Sequence, residues 1–184
     1  MKIFALYAKF DLTSGPPWLD EFRKKYDEPW DLHITLKQPC FIPDEGVEKL
    51  RSRVKSFFSE LQIPSHLIPI NFKEIFTHKG EHGMTIMVRA KPAKLLSALQ
   101  KDLVRALADY TDYVDPDSRA YEENFDPHIT IGRRLSPEHH REASTYLADG
   151  YVCEGIIKKV VLSVVKDETL EEGLDPANKT AYDL

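Results

Sequence analysis

Cysteine is scarce in this chain, and several other patterns that would indicate a class of protein are missing. The 184 residues include two cysteines, Cys40 and Cys153, with no CxxC spacing and no companions, which excludes a disulfide framework and a cysteine-based zinc site. The two thiols could pair with each other, but we expect them to be free in a reducing cytosol. No apolar run approaches the roughly 20 residues that cross a membrane, and no HExxH sequence provides a zinc site.

Positive charge is also in short supply. Lys and Arg number 25 against 30 Asp and Glu, which gives a formal net charge of −5 at pH 7 and a pI of about 5.8. The chain therefore lacks the basic footprint of a protein that binds long nucleic acids, and a nucleic-acid substrate would have to be held as an end or a small fragment. The apolar stretch 1–10 has no small-residue cleavage site, so we expect a first strand there, no signal peptide, and a cytoplasmic protein.

The remaining composition, with 42% hydrophobic and 30% charged residues, is that of an ordinary globular protein with one domain or two small lobes. Segments with strand-like and helix-like patterns alternate along the chain. We expect strands at 2–10, 30–37, 67–76, 84–90, 124–131 and 156–166, and helices at 18–26, 43–61, 92–107 and 137–147. Residues 110–120 have the polar character of a loop, and residues 167–184 that of a loosely held tail. Interleaved helices and hairpin-like strand pairs predict an α+β fold with mostly antiparallel sheets and helices on the outer faces.

An internal repeat is the most informative feature of the sequence. Residues 26–36 have the sequence YDEPWDLHITL, and residues 121–131 have the sequence YEENFDPHITI. Six of the eleven positions are identical and three more are exchanged like for like. One His-x-Thr triplet would be unremarkable, but two in matched contexts indicate two related halves of a single bilobal domain that covers residues 1–184.

The two His-Ile-Thr triplets, at 33–35 and 128–130, suit the cleavage of a phosphoester. Because alternate side chains of a strand share a face, His33 and Thr35 point one way, and so do His128 and Thr130. A pair of histidines can supply a neutral base and a protonated acid near neutral pH. The two threonine hydroxyls can donate hydrogen bonds to the phosphate oxygens. This scheme requires no metal and no other cofactor.

Further residues around the triplets are weaker candidates for substrate binding. Lys37 shares the strand-face parity of His33, so it either meets the phosphate or lies solvated at the end of the strand. Arg133 and Arg134 follow the second triplet, and a guanidinium suits a phosphate. Trp30 and Tyr121 can stack on a base, although large aromatic residues more often belong to a core.

Other polar residues near the repeat have more ordinary interpretations. Asp31 and Asp126 lie two positions before each histidine, where they either orient the imidazole or cap the start of the strand, and we favour the cap. The remaining histidines that we considered are expected at the surface, and they are His78, His82, His139 and His140.

With both triplets in place, the chain resembles the 2H phosphoesterase superfamily. The segment 127–133, PHITIGR, is similar to the second motif of its 2′-5′ RNA ligase and cyclic phosphodiesterase branch, and DLHITLKQP at 31–39 fits the first motif. The resemblance implies a two-lobed α+β fold with a central cleft between two antiparallel sheets. It also implies metal-independent opening of 2′,3′-cyclic phosphates, at RNA ends or on nucleotides, to 2′-phosphates, and in some relatives reversible, ATP-independent 2′-5′ RNA ligation. By matching positions, His33 and His128 become acid/base residues, and Thr35, Thr130 and Arg133 become phosphate binders.

Two other functions remain open. The same chemistry could act on another small phosphodiester, such as a 2′-5′ oligonucleotide or a cyclic phosphate on ADP-ribose. Alternatively, the chain could be a non-catalytic scaffold that binds nucleotides or RNA, although such a binder has no need for two titrating groups. A histidine-triad nucleotide hydrolase would require clustered alternate histidines, which this sequence does not contain. We expect a monomer whose partners are RNA ends or small nucleotides, with no obligate protein partner and no membrane.

Overall fold

A computed structural model describes residues 1–61, 67–80, 82–91, 93–147, 153–167 and 169–184. This part of the chain folds into seven strands and six α-helices, which confirms the expected α+β class. The strands are β1 Lys2–Ser14, β2 His33–Ile42, β3 Ile68–Gly80, β4 Gly83–Ala90, β5 His128–Leu135, β6 Cys153–Val165 and β7 Lys179–Asp183. The helices are α1 Leu19–Tyr26, α2 Val47–Glu60, α3 Lys94–Ala106, α4 Ser118–Glu123, α5 Pro137–Tyr146 and α6 Leu170–Leu174.

All strands join one antiparallel sheet in the order β2-β1-β6-β3-β4-β5, with β7 added beside β6. Strand β6 pairs with β1 on one edge, and on its other edge with β3 over residues 153–157 and with β7 over residues 159–163. Because β6 belongs to both halves, the two sheets expected from the sequence are continuous with each other. The outermost strands β2 and β5 nevertheless come into contact, so the sheet curves until the two triplet-bearing strands face a common cleft.

The helices are exchanged between the two halves. Helix α1 leads into β2 along the chain, but it packs against β5; helix α4 leads into β5, but it packs against β2. Helix α3 also covers β2, and helix α5 covers β4 and β5. The helix before each triplet therefore supports the strand of the other triplet.

Alternation along the two triplet-bearing strands builds the core beneath these helices. Ile34 and Leu36 in β2, and Ile129 and Ile131 in β5, are almost completely buried. Full burial of each aliphatic side chain contributes about 1.5–3 kcal/mol. These residues therefore fix which face of each strand turns toward the cleft, as the sequence predicts for residues 33–36 and 128–131.

Two segments differ from the sequence expectation. Residues 170–184, expected as part of a loose tail, form α6 and the sheet strand β7, and Leu184 at the end of the chain is buried. The segment 110–120, expected as a loop, runs into α4 at Ser118 and forms a bridge between Tyr113 and Cys40. Cys40 and Cys153 are both buried and are not joined by a disulfide. No helix among the described residues is long and apolar enough to cross a membrane.

Candidate active site

The two triplets occupy equivalent positions on their strands. Each one lies next to the strand that precedes it along the chain, β1 for the first triplet and β4 for the second. The partners across the ladder are Lys9 for His33, Tyr7 for Thr35, Arg89 for His128 and Met87 for Thr130. All eight side chains share the cleft face, since residues paired across a ladder point to the same side of a sheet.

A β-bulge follows each threonine at the same point of the repeat. The register passes from Thr35 opposite Tyr7 to Lys37 opposite Leu6 in the first half, and from Thr130 opposite Met87 to Gly132 opposite Ile86 in the second half. One extra residue on the bulged strand turns the side chains that directly follow it over to the other face. A second register shift comes after Lys37 in β2 and after Gly132 in β5. Gln38 and Arg133, five residues after the two histidines, therefore point into the cleft.

Strand parity predicts Lys37 on the same face as His33, but the bulge turns its side chain to the opposite face of the sheet. Its side chain is only 1% exposed on the covered face of the sheet, with Nζ 3.0 Å from Glu122 and 3.2 Å from the Tyr113 hydroxyl. Burial works against its charge, but the Glu122 carboxylate raises the pKa of the Lys37 ammonium above its ordinary value. Lys37 therefore lies neither at the cleft nor in solvent, and both positions expected from the sequence are wrong.

The imidazole rings of both triplets are held by matching backbone contacts. Nδ1 of His33 lies 2.7 Å from the carbonyl oxygen of Asp31, and Nδ1 of His128 lies 2.8 Å from the carbonyl oxygen of Asp126. A carbonyl can only accept, so Nδ1 carries the proton in both rings and Nε2 is left to exchange one. The two aspartates thus orient the rings through their main chain. Their carboxylates bind the cations opposite the histidines, Asp31 with Lys9 and Asp126 with Arg89.

Two cavities adjoin the triplets, and Thr35 lines both of them. The first, which we call the His128 cavity, has a volume of about 340 Å³, and its lining includes Thr35, Gln38, Phe76, His78, Met87, Tyr121, Phe125 and His128. The second, which we call the His33 cavity, has a volume of about 330 Å³, and its lining includes Tyr7, Trp30, His33, Thr35, Arg133, Arg134 and Ser163. Both histidines and Arg133 therefore line cavities that share Thr35, whereas Thr130, half-buried on β5, is not among the residues that line either cavity.

Residues 12–168 match the family model of the 2′-5′ RNA ligase superfamily. The chain belongs to this superfamily. Among solved structures, Usb1 of Kluyveromyces marxianus superposes with a TM-score of 0.58 at 9% identity, over 99% of this chain and 98% of Usb1. Usb1 with uridine monophosphate gives a TM-score of 0.59 at 8% identity over the same shares. TT0787 of Thermus thermophilus gives 0.55 at 18% identity, over 100% of this chain and 95% of TT0787. These likenesses show a shared fold, and no curated protein sequence matches the chain significantly.

In this member of the 2′-5′ RNA ligase superfamily, the His33 cavity favours a neutral imidazole. Burial lowers the pKa of His33 to about 4, the hydrogen bond to the Asp31 carbonyl opposes this shift, and the Arg133 guanidinium adds to it. The His33 ring rests against the Tyr7 ring at a centroid distance of 4.9 Å. Burial, followed by the charge of Asp31, raises the pKa of Tyr7 to about 12, so the phenol keeps its proton and can donate a hydrogen bond.

Arg133 enters the His33 cavity from a buried ionic cluster. The carboxylate of Asp27 is fully buried between Arg133 and Arg23, with 3.1 Å to each guanidinium. Burial raises the pKa of the Asp27 carboxyl above its usual value, although both guanidinium groups oppose the shift. Arg134 lies further out, where it has a positive φ of 50° and pairs with Glu28 at 3.1 Å. Only Arg133 is therefore held firmly at the cleft.

The His128 cavity is lined by rings and amides. The ring of Phe76 meets the His128 imidazole edge-on at 5.7 Å between centroids, and the Arg89 guanidinium lies over the Phe76 ring at 4.5 Å from its centroid. Tyr121 is 51% exposed and lies on the wall of this cavity. Flat aromatic surfaces with nearby amide groups are suited to a nucleobase.

Sequence reasoning missed several residues that line the two cavities, among them Tyr7, Gln38, Phe76 and His78. Only Gln38 carried a signal, because the repeat aligns it with Arg133. Tyr7 and Phe76 lie on strands outside the repeat. His78 is exposed, as the sequence predicts, and it also lines the His128 cavity. Among the described residues, no three His, Cys, Asp or Glu side chains lie close enough together to hold a metal ion.

Proposed function

We propose that this protein is a metal-independent phosphodiesterase that opens 2′,3′-cyclic phosphates, at RNA ends or on nucleotides, to 2′-phosphates. The observation that carries the proposal is the matched pair His33 and His128, each with Nδ1 bound to a carbonyl and Nε2 left for proton exchange. Membership of the 2′-5′ RNA ligase superfamily supports phosphoester chemistry. The structure of the similar Usb1 with uridine monophosphate supports a nucleotide as the bound group.

We assign the two proton transfers from the surroundings of His33. Neutral His33 takes a proton from water at Nε2 while the water oxygen attacks the phosphorus atom. The bond between phosphorus and the 3′-oxygen breaks, and that oxygen receives the proton of His128, which leaves the phosphate on the 2′-oxygen. The lowered pKa of His33 favours its role as the base. Each positioned proton transfer contributes about 10²–10⁴-fold to the rate.

Phosphate binding is assigned to the residues where the two cavities meet. Thr35 lines both cavities, so its hydroxyl can donate to a non-bridging oxygen from either side. Arg133 has five N–H donors, of which the contact with Asp27 engages one nitrogen, so others remain for the phosphate. The repeat assigns the same role to Thr130. A preorganised donor of this kind typically contributes about 10²–10³-fold to kcat.

The His128 cavity is assigned to the base or to the terminal nucleoside. Phe76, Tyr121 and Phe125 offer ring surfaces, and Gln38 and Asn124 offer amide groups for its polar edge. At about 340 Å³ the cavity lies at the low end of the usual range for ligand sites. Together with the net charge of −5, this size favours a mononucleotide or a strand end over a long RNA.

The test is to incubate the protein with each of the four nucleoside 2′,3′-cyclic monophosphates, with and without EDTA, and to separate 2′- from 3′-phosphates by chromatography. We expect a 2′-phosphate that forms in EDTA, at least about 10²-fold slower with His33→Ala or His128→Ala. The exposed His139→Ala is the matched control. The pH profile of turnover should be bell-shaped, because the two histidines work in opposite protonation states. Absence of turnover with these four compounds and with an RNA that ends in a 2′,3′-cyclic phosphate, or a 3′-phosphate product, would refute the proposal. An RNA with a 5′-hydroxyl end, added to the RNA with the 2′,3′-cyclic phosphate end, reports ligation, in which the 5′-oxygen displaces the 3′-oxygen from phosphorus.

A further inference from the structure

The repeat places a carboxylate at the same position in each half. Asp27 lies six residues before His33, and Glu122 lies six residues before His128. Asp27 directly follows α1, and Glu122 belongs to α4. Helix α1 packs against β5, and helix α4 packs against β2. Each carboxylate therefore lies beside the strand that bears the other triplet.

Each carboxylate binds the far strand just beyond its bulge. Asp27 Oδ1 accepts a hydrogen bond from Arg133, five residues after His128, at 3.1 Å. Glu122 Oε1 accepts a hydrogen bond from the backbone N–H of Gln38, five residues after His33, at 2.7 Å. The two contacts are therefore reciprocal: each half supplies the acid that binds the cleft-facing residue of the other half.

Both contacts are shielded from water. The side chains of Asp27 and Glu122 are 0% and 2% exposed, and Lys37, which completes the charge balance around Glu122, is 1% exposed. Desolvation of a buried ion pair commonly cancels its Coulomb attraction, so such pairs are weak evidence of stabilisation. These carboxylates can still fix the positions of their partners, because positioning depends on the direction of the hydrogen bond and does not require net stabilisation.

Each bulge leaves a part of the backbone that the strand ladder does not hold in place. An extra residue disrupts the ladder locally and leaves a main-chain group without its ladder partner. Glu122 binds such a group at Gln38, and the nearby residues Tyr121 and Asn124 line the His128 cavity. A single side chain thus links the first bulge to the wall of the cavity that contains the second histidine.

We propose that Asp27 and Glu122 are positioning residues: Glu122 holds the backbone at the bulged end of β2, and Asp27 holds the Arg133 guanidinium that follows the bulge of β5. Gln38 and Arg133 then face the cleft at fixed positions relative to the two triplets. This inference rests on the proposed function for its kinetic consequences, but its geometric consequence does not depend on turnover. Neither carboxylate touches the substrate in this scheme. Misplacement of reacting groups by about 1 Å can cost about 10²-fold in rate.

The first test compares two double variants that differ in whether residue 122 can accept a hydrogen bond. Lys37→Met with Glu122→Gln, and Lys37→Met with Glu122→Leu, both remove the buried charges, but only Gln keeps an acceptor for the Gln38 N–H. Both variants remove the Lys37 ammonium that contacts the Tyr113 hydroxyl. Tyr113 is partly exposed, so its hydroxyl can bind water instead. With a 2′,3′-cyclic nucleotide we expect kcat of the Gln variant within about 10-fold of the natural protein, and kcat of the Leu variant about 10²-fold lower at a comparable Tm. Equal kcat values, or a loss of kcat that only follows a loss of Tm, would overturn the role of Glu122; Glu123→Gln is the matched control on the same helix.

The second test is a double-mutant cycle on the other contact. If Asp27 acts through Arg133, Asp27→Asn, which loses the charge that binds the guanidinium, should lower kcat/KM by no more than Arg133→Gln does. The two changes together should lower it no further than Arg133→Gln alone. Independent, multiplying losses would show that Asp27 does not act through Arg133. Glu21→Gln, an exposed carboxylate change on α1, controls for the charge of that helix.

A third measurement needs no substrate and separates this inference from the proposed function. Backbone amide shifts of the Glu122→Leu double variant should change most at Thr35 and Gln38 of β2, with the Gln double variant as reference. Those of Asp27→Asn should change most at Thr130 and Arg133 of β5. Shifts confined to the mutated half would refute the crossed arrangement. If the natural protein proves inactive on cyclic phosphates but the crossed shifts appear, the proposed function fails and the positioning role stands.

Discussion

Acidification should destabilise this protein, and the titration of His33 should account for a measurable part of the effect. Burial lowers the pKa of His33 to about 4 in the folded protein, whereas an unfolded imidazole titrates near 6.5. Between these two values the unfolded chain binds a proton at this position and the folded protein does not. The free energy of unfolding therefore falls as the pH is lowered through the window from about 6.5 to about 4, and the contribution is fully restored above the unfolded pKa.

The magnitude follows from the separation of the two pKa values. A difference of one unit corresponds to about 1.36 kcal/mol, so the loss due to His33 reaches about 3 kcal/mol once the pH has fallen to the folded value. At about pH 5.5 the protonated imidazole of the unfolded chain outnumbers the neutral one by about 10 to 1, and the loss is about 1.4 kcal/mol. Total stabilities of domains are about 5–15 kcal/mol, so a change of this size is readily measured.

The assay is urea unfolding of the natural protein and His33→Gln at several pH values between about 5 and 7.5, the range in which the imidazole term develops. Other titrating groups contribute equally to both proteins, so the difference between the two pH slopes isolates His33. We expect the natural protein to lose about 1.4 kcal/mol more than His33→Gln between about pH 7.5 and about pH 5.5. The exposed His139→Gln controls for the loss of any one histidine. Parallel curves for the natural protein and His33→Gln would refute the burial argument.

Two further predictions concern the walls of the cleft. A Cβ at Gly173 would lie 1.9 Å from Cη2 of Trp30, so Gly173→Ala should displace the indole from the His33 cavity, raise KM several-fold and destabilise the fold by about 1–3 kcal/mol; unchanged tryptophan fluorescence and KM would contradict it. Thr35→Val should lower kcat by about 10²–10³-fold with little change in Tm, because it removes a donor shared by both cavities. A rate for Thr35→Val equal to that of the exposed Thr145→Val would show that the hydroxyl has no role.

Strand alternation predicted the cleft-facing side chains correctly as far as each threonine and failed just beyond it. Parity places Lys37 beside His33, but the bulge turns it toward Glu122. A bulge is a property of pairing between two strands, so no count along one strand reveals it. The repeat did contain the answer in part, since it aligns Gln38 with Arg133, the residue that the second motif had already made a candidate.

The segments that the sequence misassigned are those whose structure depends on distant contacts. Helix α4 has six residues, too few to form alone, and it is supported by Glu122 and by packing against β2. Strand β7 has a weak pattern, but the ring of Tyr182 stacks on Phe58 at a centroid distance of 5.1 Å. The exchange of α1 and α4 between the halves was equally hidden, because sequence proximity suggests that each helix covers its own strand.

The two halves of the repeat have equivalent backbones but different charged side chains, and this difference favours one orientation of a ligand in the cleft. Equivalent bulges direct a guanidinium, Arg133, into the His33 cavity and a neutral amide, Gln38, into the His128 cavity. Charge-assisted bonds from a guanidinium favour an anion, whereas amides and rings favour an uncharged base. A nucleotide in this cleft would therefore place its phosphate toward His33 and its base toward Phe76 and Tyr121, with Thr35 at the junction. Exchange of the two residues, as Gln38→Arg with Arg133→Gln, preserves the total charge and should reverse this preference, because the bulged backbone is equivalent in the two halves and the two side chains differ.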